Sequence, residues 1–336
     1  EGADLELLTE MLARRYNLGE EDFPMLREDI LDFLQQMQSM GMLTRPLRLQ
    51  SETPSLCIMI AGLHIHFHGP SKLFSRYFKD FCEAEATQNA DQEIEFLSTP
   101  PISKSYGKVL LRNSDMTIFE NSDCYVVLFP QMPNIYQVSM SLDGSYVRFY
   151  CTPEVSDTAQ ENIFHAIRLF FLFIAQKHGK FAIHSASIFY KEKAWIFSGH
   201  SGMGKSTHTR LWHDLLQTPY LNGDLNLLGM EGDKIIVYGI PWCGTSELYT
   251  TADYELGGIV LLDRDSEKDF LQNLTPSEKV IRVMQRMISP SWKERFFSMN
   301  LEFAEEIADR IPILHLFCTR NPSAVYTVQK GIDRLE

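Results

Sequence analysis

Gly199-His200-Ser201-Gly202-Met203-Gly204-Lys205-Ser206-Thr207 has the spacing G-x-x-x-x-G-K-[ST], which cradles the phosphates of a nucleoside triphosphate. Gly199, Gly204, Lys205 and Ser206 hold the fixed positions, and His200, Ser201, Gly202 and Met203 fill the variable ones. The flanks supply the context the loop requires. Ala194-Trp195-Ile196-Phe197 reads as a buried strand, and Lys205 to Gln217 places Leu211, Trp212, Leu215 and Leu216 at helical spacing. Glycines let successive N–H groups turn toward phosphate oxygens, and the following helix brings its positive end beneath them. Residues 199–207 are therefore expected to bind ATP with Mg²⁺ (Mg2+). Lys205 reaches the β- and γ-phosphates and Ser206 holds the metal.

The 336 residues suffice for two domains, or for one large domain with a small appendage. Hydrophobic residues make up 44% and aromatic ones 12%, the composition of a folded chain with a sizeable core. A formal charge of −13, spread along the sequence, argues against a general grip on nucleic acid. The six cysteines are widely spaced with no C-x-x-C, which points to free thiols in a reducing cytoplasm rather than a zinc knuckle or disulfide framework. No signal peptide is visible. Glu1 opens directly into an amphipathic segment, as expected of a chain that begins further upstream. The most apolar window, Ile163 to Ala175, is broken by His165 and Arg168 and is too short to cross a bilayer. It reads as a core helix, and no membrane partner is expected.

Two helical stripes open the chain: Leu5, Leu7, Leu8, Met11 and Leu12, then Ile30, Leu31, Phe33, Leu34 and Met37. Gly41 ends the pair and Met42-Leu43-Thr44 begins an extended segment. Ten acidic against five basic side chains in residues 1–48 disfavour a DNA reader. From Ser55 to Cys151 short β-like runs follow: Leu56–Ile60, Leu63–Phe67, Lys108–Leu111, Tyr125–Phe129, Tyr136–Ser141 and Val147–Cys151. His64, His66 and His68 alternate on one strand face, but no nearby carboxylate or cysteine completes a metal-ligand set. A helix over 158–178 leads into the strand Lys180 to Ile188, just before the nucleotide strand.

A phosphate loop needs a carboxylate opposite it for Mg²⁺ and for the acceptor's proton. Two candidates stand level on their residues alone. Asp263 ends the apolar run Ile259 to Leu262, and Asp224 ends Pro219 to Gly223 just past the loop helix.

The N-terminal stretches LLTEMLARRYNL and DILDFLQQMQSMGML resemble the helical part of PqqD-like domains, without that family's preceding strands. The resemblance implies a unit that binds the leader segment of a peptide. The succession FAIHSASI, WIFSGHSGMGKST, LNGDLNLL, GIPWCGT and ELGGIVLLDR resembles the HPr kinase and phosphoenolpyruvate carboxykinase superfamily across residues 158 to 330. That resemblance implies that His184 and Asp224 are site residues, with Asp224 rather than Asp263 sharing the metal with Ser206 and orienting the acceptor. It implies that Lys205 neutralises the transferring phosphoryl and that His184 sits near the phosphates or metal. The loop from Gly239 to Thr245 would line the acceptor side, while Trp242 and Cys243 suit either a lining or a core role. The chain departs from the family's paired aspartates, since Gly223 and Leu225 flank Asp224.

The expected architecture is an α/β fold with a mixed sheet: a P-loop domain over 158–336, a β-rich part over 49–157, and a small helical, winged-helix-like unit over 1–48. The expected activity is Mg·ATP-dependent phosphorylation of a Ser or Thr hydroxyl on a peptide or small protein, in the cytoplasm, with peptide natural-product maturation as its setting. A non-catalytic, nucleotide-gated peptide-binding scaffold and a small-metabolite kinase are the competing readings.

Overall fold

A computed structural model describes residues 5–39, 49, 53–83, 89–101, 106–200 and 202–335. At the N-terminus α1 (Leu5–Tyr16) packs on α2 (Phe23–Ser39). Ala13 and Ile30 are buried between them, whereas Met11, Leu31 and Phe33 from the two expected stripes stay exposed. A two-helix hairpin has only one inner face, so it cannot cover stripes this wide. The extended segment expected from Met42 lies outside the described residues.

The first sheet holds β1 (Leu56–Ile60), β2 (Leu63–His68), β3 (Gln92–Leu97), β4 (Lys108–Arg112), β5 (Thr117–Glu120), β6 (Cys124–Leu128), β7 (Ile135–Ser141) and β8 (Tyr146–Cys151). Their order is β1-β2-β3-β8-β7-β6-β5-β4, with a four-residue helix α3 (Ser75–Phe78) between β2 and β3. One face is apolar, with Ile58, Ile65, Phe67, Ile94, Phe96, Val147 and Phe149 joining the core of α4 (Asp157–Lys177). The other face places Cys57, His66, Glu93 and Tyr146 in register across four strands. Carboxylates missing from the local sequence thus arrive by pairing: His64 Nδ1 lies 3.0 Å from Glu83, and His68 Nε2 lies 2.6 Å from Glu93. This corrects the view that no carboxylate lies near these histidines. No group of three side chains able to hold a metal ion occurs among the described residues.

Ser156 caps α4 by accepting from the Ala159 N–H. The helix buries residues on every side, including Ile163, Ile167, Phe170, Phe171 and Ile174, as expected of the chain's most apolar window. Among the described residues no helix is long and apolar enough to cross a membrane.

The second sheet contains β9 (Lys180–Tyr190), β10 (Lys193–Ser198), β11 (Tyr220–Asn222), β12 (Leu225–Glu231), β13 (Lys234–Tyr238), β14 (Tyr254–Arg264), β15 (Phe270–Gln272) and β16 (Ile313–Cys318). It runs β10-β9-β12-β13-β14-β16-β15, and β10 also pairs with β14 in parallel. On one side α5 (Lys205–Leu216) and α8 (Ser323–Asp333) cover Phe197 and Val260 with Trp212 and Val325. On the other, α6 (Pro276–Met284) and α7 (Glu294–Arg310) cover Ile183 and Ile196 with Val283 and Phe303. Mixed sheets with helices on both faces make this an α/β fold. The parallel strands β14 and β16 end together at Arg264 and Cys318, and β10 ends beside them at Ser198, opposite Leu261. Carboxyl ends of parallel strands are where open α/β sheets bind ligands.

Candidate functional site

Between β10 and α5 the chain makes the glycine loop. Gly202 and Gly204 adopt φ of 75° and 94°, left-handed conformations that a Cβ disfavours. At Gly199 a Cβ would stand 3.0 Å from the Leu262 carbonyl, so the loop lies tight on β14. Arg264 donates to the Gly202 carbonyl and braces the turn from outside. The first turn of α5 then presents exposed Ser206 and Thr207 beside buried Lys205. Ser201 lies outside the described residues.

The structure brings Lys205, His184 and Asp224 together. Lys205 Nζ donates to His184 Nε2 at 2.8 Å and to the Gly199 carbonyl at 3.3 Å. On the other side of the ring, His184 Nδ1 lies 3.1 Å from the Asp224 carbonyl and 3.3 Å from its carboxylate. Burial, aided by the Lys205 charge, lowers the His184 pKa and favours the neutral ring. A neutral ring that accepts from an ammonium at Nε2 must carry its proton on Nδ1, and that proton points at Asp224. Burial lowers the Lys205 pKa as well, opposed by Asp224. The pairing of β9 with β12, His184 opposite Leu225, fixes the histidine and the aspartate in one register.

Asp263 has other hydrogen-bonding partners, and its charge acts on Arg286. His315 Nε2 lies 2.8 Å from the Asp263 Oδ2 and Arg282 Nη1 lies 3.4 Å from the same oxygen, so a buried histidine and an arginine share it. No second carboxylate fits beside Asp224. A Cβ at Gly223 would come within 1.9 Å of Ser246 Oγ, and Leu225 is fully buried in the core. The side chains of Trp242 and Cys243 belong to the interior: Trp242 is 1% exposed and donates to the Phe164 carbonyl, and burial raises the Cys243 thiol pKa.

Two arginines were not legible as site residues. Arg286, just past α6, is buried, donates to His200 Nδ1 at 3.2 Å, and keeps its Nε without a partner. Its backbone carbonyl accepts from the His184 N–H at 2.9 Å, which anchors it at the loop. Arg168 of α4 feels the Asp224 charge, which opposes the lowering of its pKa by burial. Neither belongs to a local spacing pattern. Arg286, a buried cation with no carboxylate in hydrogen-bond reach among the described residues, stands beside the glycine loop and fits a phosphate-bearing ligand.

Past the loop a cleft of about 390 Å³ opens, lined by Gly204, Thr207, His208, Leu211, Arg264 and Thr319 among others. Within it His208 is nearly fully buried and accepts from Trp212 Nε1 at 3.2 Å; burial pushes its pKa from 6.5 down to about 4. The unfolded chain takes up this proton first, so the contribution of neutral His208 is complete above pH 6.5 and lost as pH falls toward about 4. The shift corresponds to ~3 kcal/mol. Urea titrations of the parent at pH 7 and 4.5 are expected to differ by more than those of His208→Gln, which keeps the acceptor but does not titrate. Equal pH dependence would remove His208 from the acid response.

No family model matches the chain, and no curated protein matches it. Among solved structures it is similar to the Hpr(Ser) kinase/phosphatase from Coxiella burnetii, at 11% identity and a TM-score of 0.29, over 46% of this chain and 97% of that one.

Proposed function

We propose that this protein is a Mg·ATP-dependent kinase that phosphorylates a Ser or Thr hydroxyl on a peptide or small protein. The observation that carries the reading is the line from Lys205 through His184 to Asp224 at the mouth of a glycine loop. The loop N–H groups, Lys205 and Arg286 would hold the phosphates, and the cleft past Thr207 would hold the nucleoside. Mg²⁺ carried with a nucleotide needs only one or two protein ligands, and Ser206 and Asp224 would be these. When bound, it neutralises charge on the phosphates.

In the transfer, the acceptor oxygen forms a bond to the γ-phosphorus while the bond to the β–γ bridging oxygen breaks and ADP leaves. The hydroxyl proton passes to the Asp224 carboxylate. His184, which donates from Nδ1, holds that carboxylate in place, and Lys205 and Arg286 offset the charge on the moving phosphoryl. A single carboxylate thus serves both metal and acceptor. That economy also suits a nucleotide-gated scaffold without turnover. The exposed Met11, Leu31 and Phe33 of the helical hairpin offer apolar surface to a peptide, in keeping with recruitment of a leader segment during peptide maturation.

Mg·ATP is expected to raise the thermal midpoint by mass action, and the purified chain with an acceptor peptide is expected to release ADP. A midpoint unmoved by saturating Mg·ATP would refute nucleotide binding. A shift without ADP release across an acceptor panel would favour the scaffold.

A further inference from the structure

Phe164, Arg168 and Phe171 follow one another at helical spacing, so all three lie on one face of α4. That face meets the loop at Trp242. Phe164 and Phe171 pack their rings on Trp242 with centroids 5.6 and 5.0 Å apart, and Trp242 Nε1 donates to the Phe164 carbonyl at 3.0 Å. Two residues on, Gly244 lies so close to Asp224 that a Cβ there would come within 2.8 Å of the aspartate's own. Arg168, between the two phenylalanines, is therefore held toward the aspartate. Among the described residues its partly buried guanidinium makes no hydrogen bond and no ion pair, and Asp224 is the opposite charge acting on it. Burial holds its pKa down, and its charge in turn helps depress those of His165 and His184.

A partly buried guanidinium without a protein partner keeps its donors free for a ligand. Its planar fork of donors matches a carboxylate or a phosphate. The phosphate end of the site is already supplied with cations, Lys205 and Arg286, which sit on the loop side of His184. Arg168 approaches from the Asp224 side.

We propose that Arg168 binds a carboxylate of the phosphoryl acceptor, so that the preferred substrate carries its anionic group a few ångströms from the hydroxyl that Asp224 deprotonates. The proposal rests on the phosphotransfer reading and narrows its acceptor to hydroxyls with a neighbouring carboxylate, from an acidic peptide or from a free hydroxy acid.

The parent and Arg168→Met, both loaded with the non-hydrolysable analogue Mg·AMP-PNP, are titrated calorimetrically with two matched pairs. N-acetyl-L-serine against its amide reports a free acid. A capped Asp-Ser-Glu peptide against capped Asn-Ser-Gln reports an acidic peptide. In at least one pair the parent is expected to bind the acid at least roughly tenfold more tightly than the neutral form, as for a charged pair replaced by a neutral one. Arg168→Met should lose that preference and keep its affinity for Mg·AMP-PNP. Its thermal midpoint should be equal or higher, because a partly buried charge without a protein partner has been removed. A structural clamp would instead lower the midpoint. Acids that bind no better than their neutral partners up to roughly 10 mM, above the ordinary KM range, would overturn the proposal. So would a preference that survives in Arg168→Met, or a lowered midpoint in that variant. Failure of Mg·AMP-PNP to bind the parent counts against the phosphotransfer reading instead, and the same titrations without nucleotide still read the preference at Arg168.

Discussion

Mg·ATP should fail to stabilise a Lys205→Met variant under conditions where it stabilises the parent by ~4 kcal/mol, the gain at a thousand times Kd. Lys205 stands at the first position of α5 with its ammonium on the Gly199 carbonyl and on His184, where it can turn to phosphates above the loop. Truncating one member of a desolvated charge pair costs ~2–5 kcal/mol, so most of the ligand-induced shift should vanish. Ligand-free stability should hardly change. The ammonium is buried, its pKa is lowered chiefly by that burial with the nearby Arg286 charge adding to the effect, and Met keeps most of the volume. Differential scanning fluorimetry of both proteins, with and without Mg·ATP, separates these outcomes. Equal ligand-induced shifts would mean that Lys205 does not face the nucleotide and that the loop binds something else.

What could be read ahead of the structure follows from how far each signal reaches along the chain. The glycine loop, its strand and its helix are contiguous in sequence, and each arrives within two residues of expectation. Strands β3 and β5 were not expected. Gln92-Glu93-Ile94-Glu95-Phe96-Leu97 sets glutamates on alternate positions, a poor strand signal until the histidines of β2 and Arg148 of β8 are seen opposite them. β5 has only four residues. The level standing of Asp224 and Asp263 on sequence alone has the same origin: both end apolar strands. They differ in their neighbours, since His315 and Arg282 join Asp263 while His184 joins Asp224. Arg286 and His200 are 86 positions apart, and Arg168 reaches its place only because α4 packs on the Trp242 loop. Long-range pairing assembled these sites, and no window of sequence contains it.

Asp224→Asn and Asp263→Asn should therefore fail in opposite ways. At Asp224 the amide keeps an oxygen to accept from the His184 Nδ1–H, so the fold and its thermal midpoint should survive. It can neither take the acceptor's proton nor hold the metal as an anion, and turnover should fall by ~10²–10⁴. At Asp263 the carboxylate pairs with His315, which is 0% exposed, and with Arg282. Loss of its charge leaves a buried ring with a weaker partner and should cost ~1–3 kcal/mol of stability, with turnover near the parent's. Measuring ADP release and urea unfolding on both variants places each aspartate on its own axis. If Asp263→Asn were the variant that lost turnover while Asp224→Asn kept it, the proton acceptor would lie at the end of β14. The line from Lys205 through His184 would then be a structural contact and not the path to the acceptor hydroxyl.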